Sequence, residues 1–338
     1  MTHQSGAARP AAPIRRREGT HKFTGKAWWP WLKRGASAVF FALVIGLLVS
    51  QARHIEWHQV LTSLQHYPLT AAWGAVLLAL TSFALYSTFD LLGRHYTDHT
   101  LPAPTVMLVT FISYAFNLNL GSLVGGVAFR FRLYSRLGLP TGVITRIMSL
   151  SMLSNWMGYL LLGGLIFSLR PPAVPADWGI DTAHLRMIGF GLLTGAAGYL
   201  GVCAFSRPRV LWVRGHGIDL PSVRLATLQL LMGATNWLVM SGIIFILLQH
   251  RIDFSAVVSV LLLAAIAGVI THIPGNLGVL EAVFVALLSH QMAQHELLAA
   301  LVAYRVIYYL MPLGIAAVAY LIMETRSKKT IRPGKQAA

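Results

Sequence analysis

The chain is expected to fold as an all-α polytopic membrane protein, a helical bundle with about six full crossings plus two re-entrant segments broken by glycine and proline. Three observations predict this. Hydrophobic residues fill 56% of the 338 positions and charged residues only 11%, where a soluble domain would carry about 25% charged. The apolar residues gather in long blocks with no soluble-size gap between them. Two of those blocks carry helix-breaking sequence at their centres.

A helix needs about 20 mostly apolar residues to cross the hydrocarbon core. Candidate blocks run over 35–50, 69–92, 105–128, 142–169, 187–205, 225–248, 255–290 and 299–323. The third contains Asn117-Leu-Asn119-Leu-Gly121-Ser-Leu-Val-Gly125-Gly126. The seventh is too long for one span and is interrupted by Pro274-Gly275-Asn276-Leu277-Gly278. Proline removes a backbone donor and glycine weakens a helix, so both blocks are expected to fold as broken hairpins. Non-helical backbone at that depth survives only when it is buried in protein or lines a wet cavity.

Loop charges arbitrate between this arrangement and the alternative of eight single crossings. With eight crossings and a cytoplasmic N-terminus, loops 129–141 and 206–224 would face outward. They hold seven arginines: Arg130, Arg132, Arg136, Arg207, Arg209, Arg214 and Arg224. Inward loops would hold only Arg94, Arg170, Arg186 and Arg251. With two re-entrant hairpins the bias reverses, leaving outside only Arg53, Arg170, Arg186 and Arg251. The positive-inside rule favours the hairpins, and either arrangement puts both termini in the cytoplasm.

A net charge of +16 raises nucleic acid as a partner, and its distribution argues against that. Arg9, Arg15, Arg16, Arg17, Lys22, Lys26, Lys33 and Arg34 precede the first block; Arg326, Lys328, Lys329, Arg332 and Lys335 follow the last. Such tails sit near anionic lipid headgroups on the cytoplasmic side. The expected organisation is a basic disordered tail over 1–27, an integral membrane domain over 28–324 and a basic tail over 325–338. Trp28, Trp29 and Trp31 suit the interfacial aromatic belt. The first apolar block starts too late for a cleavable signal peptide. A multi-pass protein of a bacterial inner membrane fits all of this.

Signals for chemistry are poor. One cysteine, Cys203, rules out a disulfide framework or a thiolate metal cluster. His54-Ile-Glu56-Trp-His58 is not the His-Glu-x-x-His zinc signature, and His290, His295 and Glu296 are equally unpatterned. No nucleophile elbow, phosphate-binding or dinucleotide motif occurs. No cofactor or metal is expected, nor enzyme activity.

Ionisable residues inside the apolar blocks are few: Asp90, Arg146, His272, Glu281 and Arg305. Each costs on the order of 3 kcal/mol at the bilayer centre, so each is expected to face the protein interior or a cavity. As plain structure, they are buried ion pairs fixing helix packing. Asp90 and Arg94, four residues apart, suggest one such local pair. Glu281 follows the Pro-Gly break by one turn, where a half-helix leaves unpaired N–H groups and a positive dipole end. It either complements that dipole, or it holds an arginine or an amine-bearing headgroup while the open amides meet a phosphate. Asn117 and Asn119 could supply the opposite wall. Gly121, Gly125 and Gly126 serve equally as close-packing glycines. Arg130, Arg132 and Arg136, interleaved with Phe129, Phe131 and Tyr134, are topology anchors that can also engage lipid phosphate. Asn155 and Asn236, in the echoing Ser154-Asn155-Trp156 and Thr235-Asn236-Trp237, suit interhelical hydrogen bonds. Internal repetition is weak, and these echoes imply a different frame from the two breaks.

Pro274-Gly275-Asn276-Leu277-Gly278-Val-Leu-Glu281 resembles the Pro-Gly-x-x-Gly-x-x-Glu signature of the lysylphosphatidylglycerol synthase/flippase transmembrane family. Tyr114-Ala-Phe-Asn117-Leu-Asn119 and Ala303-Tyr304-Arg305 look like its other landmarks. The resemblance runs from about Trp31 to Glu324. Phe131-Arg132-Leu-Tyr134-Ser-Arg136-Leu-Gly138-Leu-Pro140 and His272-Ile-Pro274 are closest to the short inner-membrane members of YbhN type. It implies translocation of phospholipid between leaflets, as the flippase module of the family does for aminoacylated phosphatidylglycerol. Glu281, Arg305, Arg146 and Arg130 would handle the headgroup in a central cavity. The larger synthases add a soluble aminoacyl-transfer domain. This chain ends about fifteen residues after its last apolar block, so lysine transfer is not expected of it alone. Two rival readings stay open: a non-transporting membrane partner of lipid-synthesis enzymes, with every intramembrane charge paired, and an intramembrane enzyme acting on a lipid headgroup.

Overall fold

The computed structural model describes residues 68–172, 181–206, 210–213, 216–271 and 273–330, with isolated positions 62 and 174. The first apolar block, the N-terminal tail, Trp28, Trp29, Trp31, His54, His58 and His272 lie outside the described residues, as do the last eight residues. Everything described below belongs to one compact unit, residues 51–338.

Helix α1 (Leu69–Ser87) continues through Thr88 into α2 (Phe89–Thr97) as a single apolar rod. After a left-handed Asp98, α3 (Ala103–Leu120) starts with Pro104 in its first turn, where the missing N–H costs nothing. It stops at Gly121, whose φ of 84° only glycine adopts freely. The chain then returns through a π-helical stretch, Ser122–Phe129, into α4 (Arg130–Arg136). The return is demonstrated by Phe116 and Phe129, whose rings stack with centroids 4.1 Å apart. A continuous helix would separate them by about 20 Å. Gly125 makes the fold-back possible: a Cβ there would lie 2.2 Å from the backbone of Phe116 and Asn117.

Helices α5 (Thr141–Leu169), α6 (Thr182–Phe205) and α7 (Val223–Leu247) follow, each long and apolar enough to span. Between α6 and α7 the chain forms a short antiparallel hairpin, β1 (Val210–Val213) with β2 (His216–Asp219), in register Val210↔Asp219. This is the one departure from helix among the described elements, and the Val-Leu-Trp-Val sequence favours it. Helix α8 (Phe254–Thr271) ends before a 3-10 turn at Pro274–Asn276, and α9 (Val279–Leu288) runs back along it. A Cβ on Gly268 would meet the Asn276 side chain at 2.2 Å, so the turn is packed tightly against the end of α8. Finally α10 (Gln294–Tyr304), a π-helical stretch Arg305–Leu310 and α11 (Met311–Thr330) make one long helix.

Both expected hairpins are therefore present, at the expected breaks. Each brings its chain back toward the side it came from. Seven described helices are long and apolar enough to cross, but α3 and α8 are outer limbs of hairpins. That leaves five crossings among the described residues: α1–α2, α5, α6, α7 and α10–α11. Ion pairs staple the ends of the bundle. Arg132 and Arg136 both reach Glu324, and Arg251 Nη1 lies 2.9 Å from Glu296 Oε1. The perimeter is rich in exposed Leu, Ile and Trp, such as Trp73 and Leu169, as a lipid-facing surface requires.

Candidate functional site around the second break

The break at 274–278 places two consecutive residues, Gly275 (φ 65°) and Asn276 (φ 51°), in the left-handed region, followed by Gly278 (φ 75°). Asparagine is among the few side-chain-bearing residues that tolerate this conformation. The turn leaves the carbonyls of Gly275 and Asn276 outside any helical ladder, and a single side chain collects them. Arg305 Nη1 donates to Gly275 O at 2.9 Å, and Nη2 donates to Asn276 O at 2.8 Å and to Glu281 Oε2 at 2.9 Å. Arg305 Nε donates to the other carboxylate oxygen of Glu281. Four contacts thus use most of the five N–H donors of the guanidinium. The Tyr309 ring lies 5.3 Å from the guanidinium carbon, adding a cation–π contact.

Arg305 is 6% exposed and the Glu281 side chain 17%. The pair is what the two lone charges demanded, since either alone would be costly there. Arg305 sits at the start of a π-helical stretch, a rare conformation that recurs at functional sites. Glu281 lies in the first turn of α9, whose N-terminal amides have no side-chain cap. The carboxylate complements the dipole, and the open amide end at the half-exposed turn 277–279 can accept an anionic group.

The other expected residues fall into three places. Asn119 ties the first hairpin to this region: its Nδ2 donates to Ala115 O at 2.8 Å and to Tyr309 O at 3.2 Å. Asn117 works through backbone and bulk, with its carbonyl accepting from Gly121 N and its side chain against Gly126. Arg130 is buried in a separate cluster. Its Nη1 lies 3.4 Å from Oδ1 of the fully buried Asp90, whose Oδ2 accepts a 2.7 Å hydrogen bond from Tyr134. This corrects the local pairing expected for Asp90. Arg94 instead donates from Nε to Leu101 O, because its side chain turns to the loop that closes α2. Arg146 requires a second correction: it is exposed on the second turn of α5 rather than turned inward. Near a helix end, a long guanidinium reaches the membrane boundary without entering the core.

Sequence reasoning missed the tyrosines. Tyr114, Tyr304, Tyr308 and Tyr309 are all buried around the Arg305 stretch. The Tyr114 and Tyr308 hydroxyls are 2.9 Å apart, Ser82 Oγ lies 2.7 Å from Tyr308, and Ser82 donates to Asn236 Oδ1 at 2.8 Å. Ser82 has one proton and gives it to Asn236, so Tyr308 donates to Ser82 and Tyr114 to Tyr308. Beyond the landmark motifs that contain Tyr114 and Tyr304, the available signal was the i, i+4 spacing of Tyr304 and Tyr308 next to Arg305. Asn236 is the interhelical partner its position suggested.

Comparison with known proteins adds an independent line. Residues 36–316 match the family described as the lysylphosphatidylglycerol synthase TM region. The chain is 45% identical to the inner membrane protein YbhN of Escherichia coli over 92% of its own length and 98% of the relative. It is 32% identical to the uncharacterized protein slr0712 of Synechocystis, over 89% and 95%. A phosphatidylglycerol lysyltransferase of Staphylococcus haemolyticus is 23% identical over 85% of this chain, which spans only 33% of that protein.

Proposed function

The chain belongs to the family of the lysylphosphatidylglycerol synthase TM region, as a multi-pass inner membrane protein, and on that footing we propose that it carries phospholipid headgroups between leaflets. The observation that supports this most is the broken backbone at 274–278. An uncapped, half-exposed helix end is held inside an apolar bundle by a side chain spending four hydrogen bonds on it. Such ends bind anionic groups, and discontinuous helices near the membrane midplane build the sites of many transporters. In this reading the amides of α9 meet the lipid phosphate and Glu281 meets an amine on the headgroup. Arg305 fixes the turn, while Asn117 and Asn119 hold the facing hairpin. Arg146, exposed on α5, gathers anionic headgroups on the side of the first hairpin, while Arg130, buried against Asp90, holds that hairpin in place. The aminoacyl transfer in the name of the staphylococcal relative is not carried over, since the match covers a third of that protein.

The test is a headgroup-resolved leaflet assay. Purified protein goes into vesicles holding trace fluorescent phosphatidylglycerol, lysyl-phosphatidylglycerol or phosphatidylethanolamine, and outer-leaflet fluorescence is bleached over time. At least one headgroup should equilibrate faster than in protein-free vesicles, and Glu281→Gln should slow it. Folded protein that moves none of the three overturns the proposal. One observation favours a second reading, a non-transporting partner of lipid-synthesis enzymes: both intramembrane acids, Asp90 and Glu281, already face arginines. That reading calls for silence in the leaflet assay together with co-purification of a lipid-synthesis enzyme.

A further inference from the structure

The order of elements repeats. A long helix, a broken hairpin and a second long helix occupy α1–α5, and the same three occupy α7–α11, with α6 between. The spacing is nearly constant. Leu69 and Val223 begin the first helices, 154 residues apart. Ala103 and Phe254 begin the outer limbs, 151 apart. Gly121 and Gly275, the left-handed glycines of the breaks, are 154 apart. Thr141 and Gln294 begin the closing helices, 153 apart. The sequence echoes had suggested incompatible frames; the backbone supplies a single one.

The relative direction of the halves can be read from the contact between the equivalent helices α1 and α7. A Cβ on Gly74 would meet Ile246, and one on Gly242 would meet Leu78. Further along, Ser82 bonds Asn236. As position rises in α1 it falls in α7, so the equivalent helices are antiparallel. Ser82 and Asn236 are themselves 154 residues apart, the same separation as the breaks. Equivalent positions touch one another only where a two-fold axis passes between them.

We infer that the membrane core is an inverted duplication, residues 69–169 against 223–325. Its pseudo-two-fold axis lies in the membrane plane at the Ser82–Asn236 contact, so the two broken hairpins open onto opposite leaflets. Inverted repeats with broken helices at their interface are the architecture in which one central path is exposed alternately to either side. The polar chain Tyr114–Tyr308–Ser82–Asn236 then occupies the seam where a path would change sides. The halves differ in their clamps. Arg305 holds the second break through Gly275 and Asn276, whereas the position 154 residues earlier is Ser151, a buried hydroxyl with no hydrogen-bond partner. The two hairpins are therefore clamped by different residues, the second by Arg305 and the first by Arg130 on Asp90 and by Asn119 on Tyr309 O. The inversion goes beyond the transport reading and stands whether or not lipid moves.

Thiol labelling tests it in the full-length chain with Cys203→Ser. Thr100→Cys marks the mouth of the first hairpin and His290→Cys that of the second, both exposed positions. An impermeant maleimide should label one in spheroplasts and the other in inverted membrane vesicles, with loss of labelling in the reverse preparation. Labelling of both from one face overturns the inversion, and so does failure of either to react with a permeant maleimide. As a second measurement, a short bifunctional thiol linker should join Ser82→Cys to Asn236→Cys within one chain. Absence of that product removes the axis from where it is placed here. Neither readout depends on transport, so a silent leaflet assay and a failed inversion are distinguishable.

Discussion

Removing either member of the Glu281–Arg305 pair gives the sharpest test of how the second break is held. In Arg305→Gln the carboxylate, 17% exposed, loses its counter-charge, and breaking a buried pair in this way costs about 3–5 kcal/mol. Partial exposure puts the charge at the lower end. The carbonyls of Gly275 and Asn276 also lose their donors, at about 1 kcal/mol each, so about 4–5 kcal/mol is expected in all. In Glu281→Gln the amide keeps one acceptor and both carbonyl contacts persist, so the loss is about 2–3 kcal/mol. The double variant buries no charge at this site and still lacks the two carbonyl bonds. It should sit about 3–4 kcal/mol below the parent, leaving a coupling of about 3 kcal/mol. Unfolding in mixed micelles titrated with dodecyl sulfate, followed by tryptophan fluorescence, measures all four corners of the cycle. Losses that add within about 0.5 kcal/mol would show that the residues do not interact, and the site would have to be rebuilt. The leaflet assay on the double variant then separates roles: restored folding with restored transport makes the pair structural, and restored folding without transport ties it to the headgroup.

Three further outcomes follow, one from the geometry and two from the sequence. Gly125→Ala, whose Cβ would fall 2.2 Å from the Phe116 and Asn117 backbone, and Gly158→Ala, at 2.1 Å from Gly233, should each lose about 1–3 kcal/mol or fail to fold. Gly142→Ala, with open space around it, should be neutral in the same unfolding titration. Loops 129–141 and 206–224 should share the cytoplasmic face. Ser135→Cys and His216→Cys in the Cys203→Ser chain should then resist an impermeant thiol reagent in spheroplasts, and ready labelling of both would refute the topology. Protein purified without a histidine tag should carry no stoichiometric zinc; metal that disappears on His54→Ala or His58→Ala would refute this.

The breaks were legible in the sequence and their partners were not, for one physical reason. Gly121, Pro274, Gly275 and Gly278 act on the backbone directly: a missing donor or a positive φ interrupts a helix whatever surrounds it. Which helix faces which must instead be read from amphipathic periodicity, and a bundle in lipid is apolar on both its packed and its exposed faces. Trp73 on the perimeter and Phe83 in the core of α1 are chemically indistinguishable as signals. The rare charges therefore had to stand in for periodicity. They served well where an acid and an arginine were alone on neighbouring segments, as with Glu281 and Arg305. They misled where a nearer candidate competed: Arg94 lies one turn from Asp90, yet Arg130, forty residues on, is the partner, because the first hairpin folds α4 back onto α2's end of the bundle. Arg146 misled in another way, since hydropathy counts it inside a block while its length lets it leave. The mutual contacts of the tyrosines carried no signal. Leaving a buried hydroxyl unpaired is costly, so Ser82, Tyr114, Tyr308 and Asn236 specify one another across four helical segments, and a relation among distant positions leaves no mark on any one of them. The inverted order of the halves is lost to sequence for the same reason, because what the halves share is the direction and spacing of their backbones rather than the residues that line them.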